Sequence, residues 1–250
     1  KNYRDFNLLI LDQSSEQGLQ KKIKKELPNI KYYGFSNKNI GFAKGINFLV
    51  KRVKTKYFLC TQPDIIINKK SILNLYKTLK EKKDGIISVP RITSFKNYKK
   101  KKVKKKIFTV TNILGAIFMA DREKFRKVNM FDERFFFYWE DIDLCNRIKK
   151  SKLKIYLNSG AIADHKGEGS TKASLTTLLI RKVNFKYGEY LFQKKYNKLK
   201  RIKIFREIIK YPLLAIFYFT IFKFKSSFEN LCFFYAVLKY IFLSKLKNFD

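Results

Sequence analysis

Acidic residues are scarce in this chain: 20 Asp and Glu stand against 56 Lys and Arg, a net charge of +36 over 250 residues. That imbalance points the surface toward phosphate-rich partners, whether nucleic acid, anionic lipid or a pyrophosphate-linked substrate. Composition is a second source of the charge. Lys, Ile, Asn, Phe and Tyr are all abundant, as in proteins of AT-rich genomes, with lysines spread over solvated faces. Cysteine is nearly absent. Cys60, Cys145 and Cys232 are far apart and form no C-x-x-C pair, which excludes a disulfide framework and a thiolate zinc site. They read as small buried hydrophobes in a reducing compartment. There is one histidine, His165, and a lone histidine is more often structural than a ligand. Long hydrophobic runs are also missing. The two apolar runs at 211–222 and 231–243 stop short of a membrane span, and no signal peptide or internal repeat is visible.

What the chain does have is a concentration of its rare carboxylates. Asp132, Glu133, Glu140, Asp141 and Asp143 fall within residues 131–147, and five consecutive aromatics, Phe135 to Trp139, separate the two acidic groups. Carboxylates beside aromatic walls suit a site that binds a sugar ring and takes a proton from its hydroxyl, because desolvation raises carboxylate basicity. The same residues also suit a surface helix start, with Glu140, Asp141 and Asp143 favouring the helix dipole ahead of Leu144 and Ile148.

Along the chain, short apolar runs at 7–11, 30–35, 57–61 and 85–89 read as strands, and residues 71–82 as an amphipathic helix. Their alternation through residue 90 argues for an α/β fold with a mostly parallel sheet. Asp12 closes the first strand ahead of a helix that Ser14 or Ser15 can cap. Such a carboxylate stands where α/β sheets bind ligands, and equally where a helix is capped. Residues 37–47, with Gly41 and Gly45, form a small-residue loop opening a helix, where backbone amides can meet phosphate. Residues 96–106 carry eight lysines in eleven positions. They read as a self-repelling surface loop or an anionic lipid contact, and with only Tyr98 for stacking they do not read as a nucleic-acid platform. Residues 153–157 read as a strand. Residues 175–195 read as a helix exposing Arg181, Lys182, Lys186 and Tyr187.

Residues 131–147 resemble the F-D-E-x-F-F-x-Y-x-E-D-x-D-L-x-x-R signature of inverting family 2 glycosyltransferases, the rhamnosyltransferase-like branch with a GT-A fold. Other segments follow in the family's order over about residues 7–190. Asp12-Gln13-Ser14-Ser15 is similar to its D-N-x-S, and residues 39–47 to its N-x-G-F-x-x-G-x-N. Gln62-Pro63-Asp64 is similar to its N-P-D, Gly115-Ala116 to its G-A element, and His165, Gly169 and Ser170 to its H-x-x-G-x-S.

The resemblance implies transfer of a sugar, with rhamnose a candidate, from a nucleotide-diphosphate donor to an acceptor hydroxyl with inversion. The setting would be cell-surface polysaccharide or O-antigen assembly. It implies Asp141 as the general base, although spacing leaves Glu140 and Asp143 open as candidates. Asp12, Asn39, Gly41, Asn47, Asp64, Gly115 and Ala116 would face the nucleotide sugar, and Trp139 and Glu140 the acceptor. Asp64 and His165 would hold a divalent cation, Mn²⁺ more naturally than Mg²⁺ given the imidazole. It also implies a strand and helix ahead of residue 1.

Residues 1–198 would form the catalytic domain and 199–250 a helical tail. Lysine-flanked apolar runs in that tail suit amphipathic helices lying on the cytoplasmic face of an anionic membrane, with a lipid-linked or glycan acceptor. They also suit a helical cap on the core. The competing function is a non-catalytic basic protein that binds membrane or nucleic acid on a degenerate transferase scaffold.

Overall fold

A computed structural model describes residues 6–14, 18–27, 30–36, 38–94, 106–165 and 174–246. Ser15, Gly169, Ser170 and the lysine run before Lys106 lie outside the described residues. Except where β4 directly follows β3, the N-terminal part alternates strand and helix: β1 (Leu8–Asp12), α1 (Leu19–Glu26), β2 (Ile30–Phe35), α2 (Phe42–Val50), β3 (Tyr57–Thr61), β4 (Ile65–Ile67), α3 (Lys69–Glu81) and β5 (Gly85–Ser94). Then come β6 (Ile107–Val110), β7 (Ile117–Asp121), α4 (Arg122–Lys127), α5 (Glu140–Lys149), β8 (Lys154–His165), α6 (Leu175–Lys195), α7 (Arg201–Thr220) and α8 (Phe224–Leu246).

Two sheets result. β1 and β2 pair in parallel. The main sheet has the order β3-β7-β5-β8-β4, with β6 also on β8. The α/β expectation holds, but mostly parallel pairing does not. Only β5–β8 is parallel in the main sheet, while β3–β7, β5–β7, β4–β8 and β6–β8 are antiparallel. Parallel neighbours need a crossover helix. The strand–helix rhythm that supplies one ends at β5, and β6 and β7 follow with no helix between them.

β7 explains the layering. Its five residues Ile117–Asp121 are all buried. Phe118 and Ala120 join a core with Ala43 and Val50 of α2, Phe125 of α4 and Leu144 and Ile148 of α5. Met119, pointing the other way, meets Leu75 and Leu79 of α3. A strand covered on both faces reads as a continuous apolar run rather than as alternation.

Helix starts differ from expectation in two places. α3 begins two residues earlier than its apolar periodicity suggests, because the Asn68 side chain accepts from Ser71 N at 2.8 Å and caps it. α1 has no side-chain cap: its N-cap is Gly18, and Ser14 instead donates its backbone N–H to Asp12 at 2.8 Å.

β8 is one long strand that runs well past the 153–157 run read from the sequence. A register shift at Pro90/Arg91 keeps it paired with β5 to its end, and Ile65 faces His165 across β4–β8. Beyond it, α7 and α8 form an antiparallel hairpin, with Tyr211 against Phe233 and Ser227 Oγ donating to Ala215 O at 2.8 Å. α6 lies on one side of that hairpin through Val183, Cys232 and Ala236, and through Tyr190 and Tyr240.

Lys186 is not exposed as its charge suggests. It is buried and paired with Glu189 at 2.8 Å and Glu207 at 3.0 Å, and Tyr190 also donates to Glu207. Among the described residues no helix is long and apolar enough to cross a membrane.

Candidate active site

The carboxylates of the 131–147 stretch divide into two kinds. Asp143 is fully buried and saturated: Arg147 Nε lies at 2.8 Å, Lys195 Nζ at 2.5 Å and the Tyr196 hydroxyl donates at 3.0 Å. Arg147 also donates to the carbonyls of Val128 and Met130, fixing the turn before the stretch, where Asn129 and Met130 have φ of 62° and 48°. Asp132 is held by Arg134 at 2.6 Å and Lys195 at 2.7 Å. Burial opposes its charge, but these partners outweigh burial and keep its carboxyl far below the usual range. Asp143 therefore leaves the list of candidate bases, because its lone pairs are already occupied by cations.

Glu140 and Asp141 lack such partners. Glu140 is buried, and its Oε2 has no hydrogen-bond partner. Burial, and then the neighbouring Asp141, pushes its carboxyl up to about 8. Asp141 is half-buried. Its oxygens accept from Gly115 N at 3.2 Å and Ile142 N at 2.8 Å, yet burial still raises its pKa above the ordinary value. A partly exposed carboxylate of raised basicity, held by backbone amides, has the geometry of a general base.

The pair is positioned by strained backbone. Tyr138 and Trp139 have φ of 70° and 72°, a left-handed pair of bulky residues immediately before Glu140, and each such residue costs of order 1–3 kcal/mol. α6 holds the strain in place. The Trp139 indole donates to Phe185 O at 2.8 Å and lies against Phe185 and Phe192. Gly188 makes room for it: a Cβ there would stand 2.8 Å from Trp139 Cδ1. Trp139 also lines a cleft of about 680 Å³ with Phe192, Lys200, Arg206 and Lys210.

The loop after β2 closes onto the aromatic stretch. Gly41 has φ 86°, and a Cβ there would stand 2.4 Å from Phe136 O, so only glycine fits. Phe42 N donates to the same carbonyl at 2.9 Å. Asn39 is exposed, and its side chain accepts from Gly41 N at 2.9 Å. Gln13, standing where the family has Asn, accepts from Ile40 N at 2.8 Å and ties the end of β1 to this loop. Asp12 accepts from Tyr33 OH at 2.5 Å and from Ser14 N at 2.8 Å. Burial would raise its pKa, but these bonds lower it overall. Asn47 lies behind the site rather than facing it. It is buried, donates to Phe131 O at 2.8 Å and accepts from Phe131 N at 3.1 Å, so its amide clasps α2 to the acidic stretch. Gly115 and Ala116 are buried, and a Cβ on Gly115 would meet Asp141 Cβ at 3.4 Å and Phe42 at 3.5 Å.

Asp64 and His165 meet at the β4–β8 edge, with His165 Nε2 3.4 Å from Asp64 Oδ2. Asp64 is buried and its Oδ1 has no partner. An orphaned carboxylate oxygen beside an imidazole fits a divalent cation whose remaining ligands come from a diphosphate and water. Among the described residues no group of three or more His, Cys, Asp or Glu gathers, so this pair by itself is an incomplete ligand set.

Several positions here escape sequence reading. Gly188 leaves a signal, an isolated glycine inside a helical pattern. Tyr33, Lys195 and Tyr196 leave none, since only the fold brings them to Asp12 and Asp143.

Comparison with known proteins bears on the fold and the family. A search of curated protein sequences returns no match. Among solved structures, GalNAc-T7 with UDP, GalNAc and Mn²⁺ is similar with a TM-score of 0.55 at 12% identity, over 73% of this chain and 41% of that one. The mannosyltransferase PcManGT from Pyrobaculum calidifontis, in complex with GDP-Man and Mn²⁺, gives 0.54 at 11% identity, over 78% and 56%. TarS 1–349 from S. aureus, in complex with UDP, gives 0.53 at 12% identity, over 94% and 82%. The chain thus spans only about half the length of the first two, and at these identities the likeness speaks for the GT-A fold. The profile of glycosyl transferase family 2 matches residues 1–145, more than half the chain and the part that carries Asp12, Asp64 and Asp141. The chain belongs to glycosyl transferase family 2.

Proposed function

We propose that the chain moves a sugar from a nucleotide-diphosphate donor to an acceptor hydroxyl with inversion, and that Asp141 is the base. The observation that carries this reading is the contrast inside one helical turn: Asp143 is saturated, Glu140 is buried, and Asp141 is partly exposed with raised basicity. Asp141 takes the acceptor proton. The acceptor oxygen forms its bond to the anomeric carbon from the face opposite the diphosphate, and the bond to the diphosphate oxygen breaks, which inverts the centre.

Asp12 and the 39–41 loop face the nucleotide, Gly115 and Ala116 leave room for the donor sugar, and Asn47 positions the acidic stretch. Asp64 and His165 would hold a divalent cation, which when bound neutralises the leaving diphosphate as a Lewis acid. Mn²⁺ with a nucleotide or nucleotide sugar in two of the similar structures supports that assignment. The rhamnosyltransferase-like form of residues 131–147 supports a deoxyhexose donor and a role in polysaccharide assembly.

The test is a screen of dTDP-, UDP- and GDP-sugars for binding and turnover, with and without Mn²⁺. Asp141→Asn should lower turnover by about 10²–10⁴-fold and leave donor binding nearly unchanged. EDTA, Asp64→Ala and His165→Ala should each weaken donor binding. Full activity in Asp141→Asn would move the base to Glu140. Absence of any donor binding would leave a non-catalytic scaffold.

A further inference from the structure

The α7–α8 hairpin leaves one side uncovered. On α7, Ile202, Phe205, Ile209, Leu213 and Ile216 recur every three or four residues and are 48–63% exposed, so one helical face is apolar and open. On α8, Leu231, Tyr235, Leu238 and Phe242 recur in the same way and are 43–64% exposed. Different faces make the internal contacts: Glu207 and Tyr211 of α7, and Cys232, Ala236 and Tyr240 of α8. The helices are antiparallel, and each stripe lies on a face of its helix that is covered neither by α6 nor by the other helix of the hairpin. The connecting turn adds exposed Phe219, Phe222 and Phe224. A monomer rarely leaves so broad an apolar surface in water without a partner for it.

Charge selects the partner. Arg206 and Lys210 form the row beside the α7 stripe and line the cleft that reaches Trp139. Among the described residues neither has a carboxylate partner, and exposed Lys223 stands at the turn. A second copy on this face would bring two such cationic rows together on chains of net charge +36. An anionic lipid surface would receive the stripes among its acyl chains and the cations among its phosphates. We infer that the α7–α8 face seats the protein on an anionic bilayer, in the interface rather than across it, with the Trp139 cleft opening at the level of the headgroups. This inference does not depend on the transferase reading.

The experiment is co-sedimentation of the full chain with vesicles of phosphatidylcholine, alone or with about a quarter phosphatidylglycerol. Substitution is preferable to truncation, because removing residues from Phe205 onward would take Glu207 away from buried Lys186. The wild-type chain should prefer anionic vesicles by about tenfold or more, and high salt should release it only in part, because the apolar term persists. Leu213→Lys with Ile216→Lys should weaken binding to both vesicles by at least about tenfold, with circular dichroism and melting unchanged. Arg206→Ala with Lys210→Ala should reduce the anionic preference and spare binding to neutral vesicles; this pair decides the matter if the lysine pair fails to fold. Wild-type protein remaining in the supernatant, or an unchanged lysine pair, would overturn the inference. A lipid-free dimer that the lysine pair dissociates would assign the face to a second copy instead.

Discussion

Two regions of one acidic stretch behave oppositely. Behind α5, Asp132 and Asp143 are enclosed by Arg134, Arg147, Lys195 and Tyr196, and every charge there has a partner. In front of it, Glu140 keeps an orphaned oxygen and Asp141 is held only by backbone amides, and across the fold Asp64 has an orphaned oxygen of its own. Carboxylates packed for stability end up saturated, whereas those available to a ligand stay unsatisfied and carry a stability cost. Raised pKa values mark Glu140 and Asp141, because burial acts on them without a compensating cation.

The largest test of this contrast is Asp143→Ala. It leaves Arg147 and Lys195 facing an empty buried site and should cost about 3–5 kcal/mol, read as a lower denaturant midpoint with an unchanged slope. A loss under about 1 kcal/mol would make Asp143 an ordinary surface charge.

Glu140→Gln should act in the opposite direction. The folded carboxyl has a pKa of about 8 against an ordinary 4.5, so the folded state holds its proton more firmly than the unfolded chain does. The stability this lends is complete below about pH 4.5 and is lost as pH rises to about 8. Glutamine removes the penalty. The variant should match wild type near pH 4 and become more stable through neutral pH, by about 2–4 kcal/mol at pH 8. Melting curves at several pH values would measure it, and a pH-independent difference would mean that Glu140 is not held neutral by the fold.

Gly188→Ala is the finest probe, because it lies in α6 and a methyl group there meets the strained pair, Trp139 at 2.8 Å and the Tyr138 carbonyl at 3.4 Å, without reaching a carboxylate. Its methyl group must push the indole away, costing about 1–2 kcal/mol. It should lower turnover about tenfold or more by moving Glu140 and Asp141 off position, with donor binding kept. Unchanged turnover would show that α6 does not position the pair.

Much of the fold was legible in the sequence because apolar runs report burial directly. The strands at 30–35 and 57–61 and the helix at 175–195 have their expected ends. The main sheet's antiparallel pairings were not legible, since pairing direction depends on where the later strands return. The buried state of Lys186 was hidden for a similar reason: its partner Glu207 comes from the next helix. In the site, spacing grouped Glu140, Asp141 and Asp143 but could not separate them.

What the sequence determined by itself is the inventory and its order: rare carboxylates gathered beside aromatics, a small-residue loop ahead of α2, and one histidine at the end of the last strand. These are local properties, set by residue type and near neighbours. Tertiary structure alone decided which carboxylate is neutralised and which is left free. Tyr196 reaches Asp143 from 53 residues away, and His165 reaches Asp64 only because β8 pairs antiparallel with β4. A charge's environment in a buried site is made by whatever the fold brings within a few ångströms, and chain distance carries no record of that.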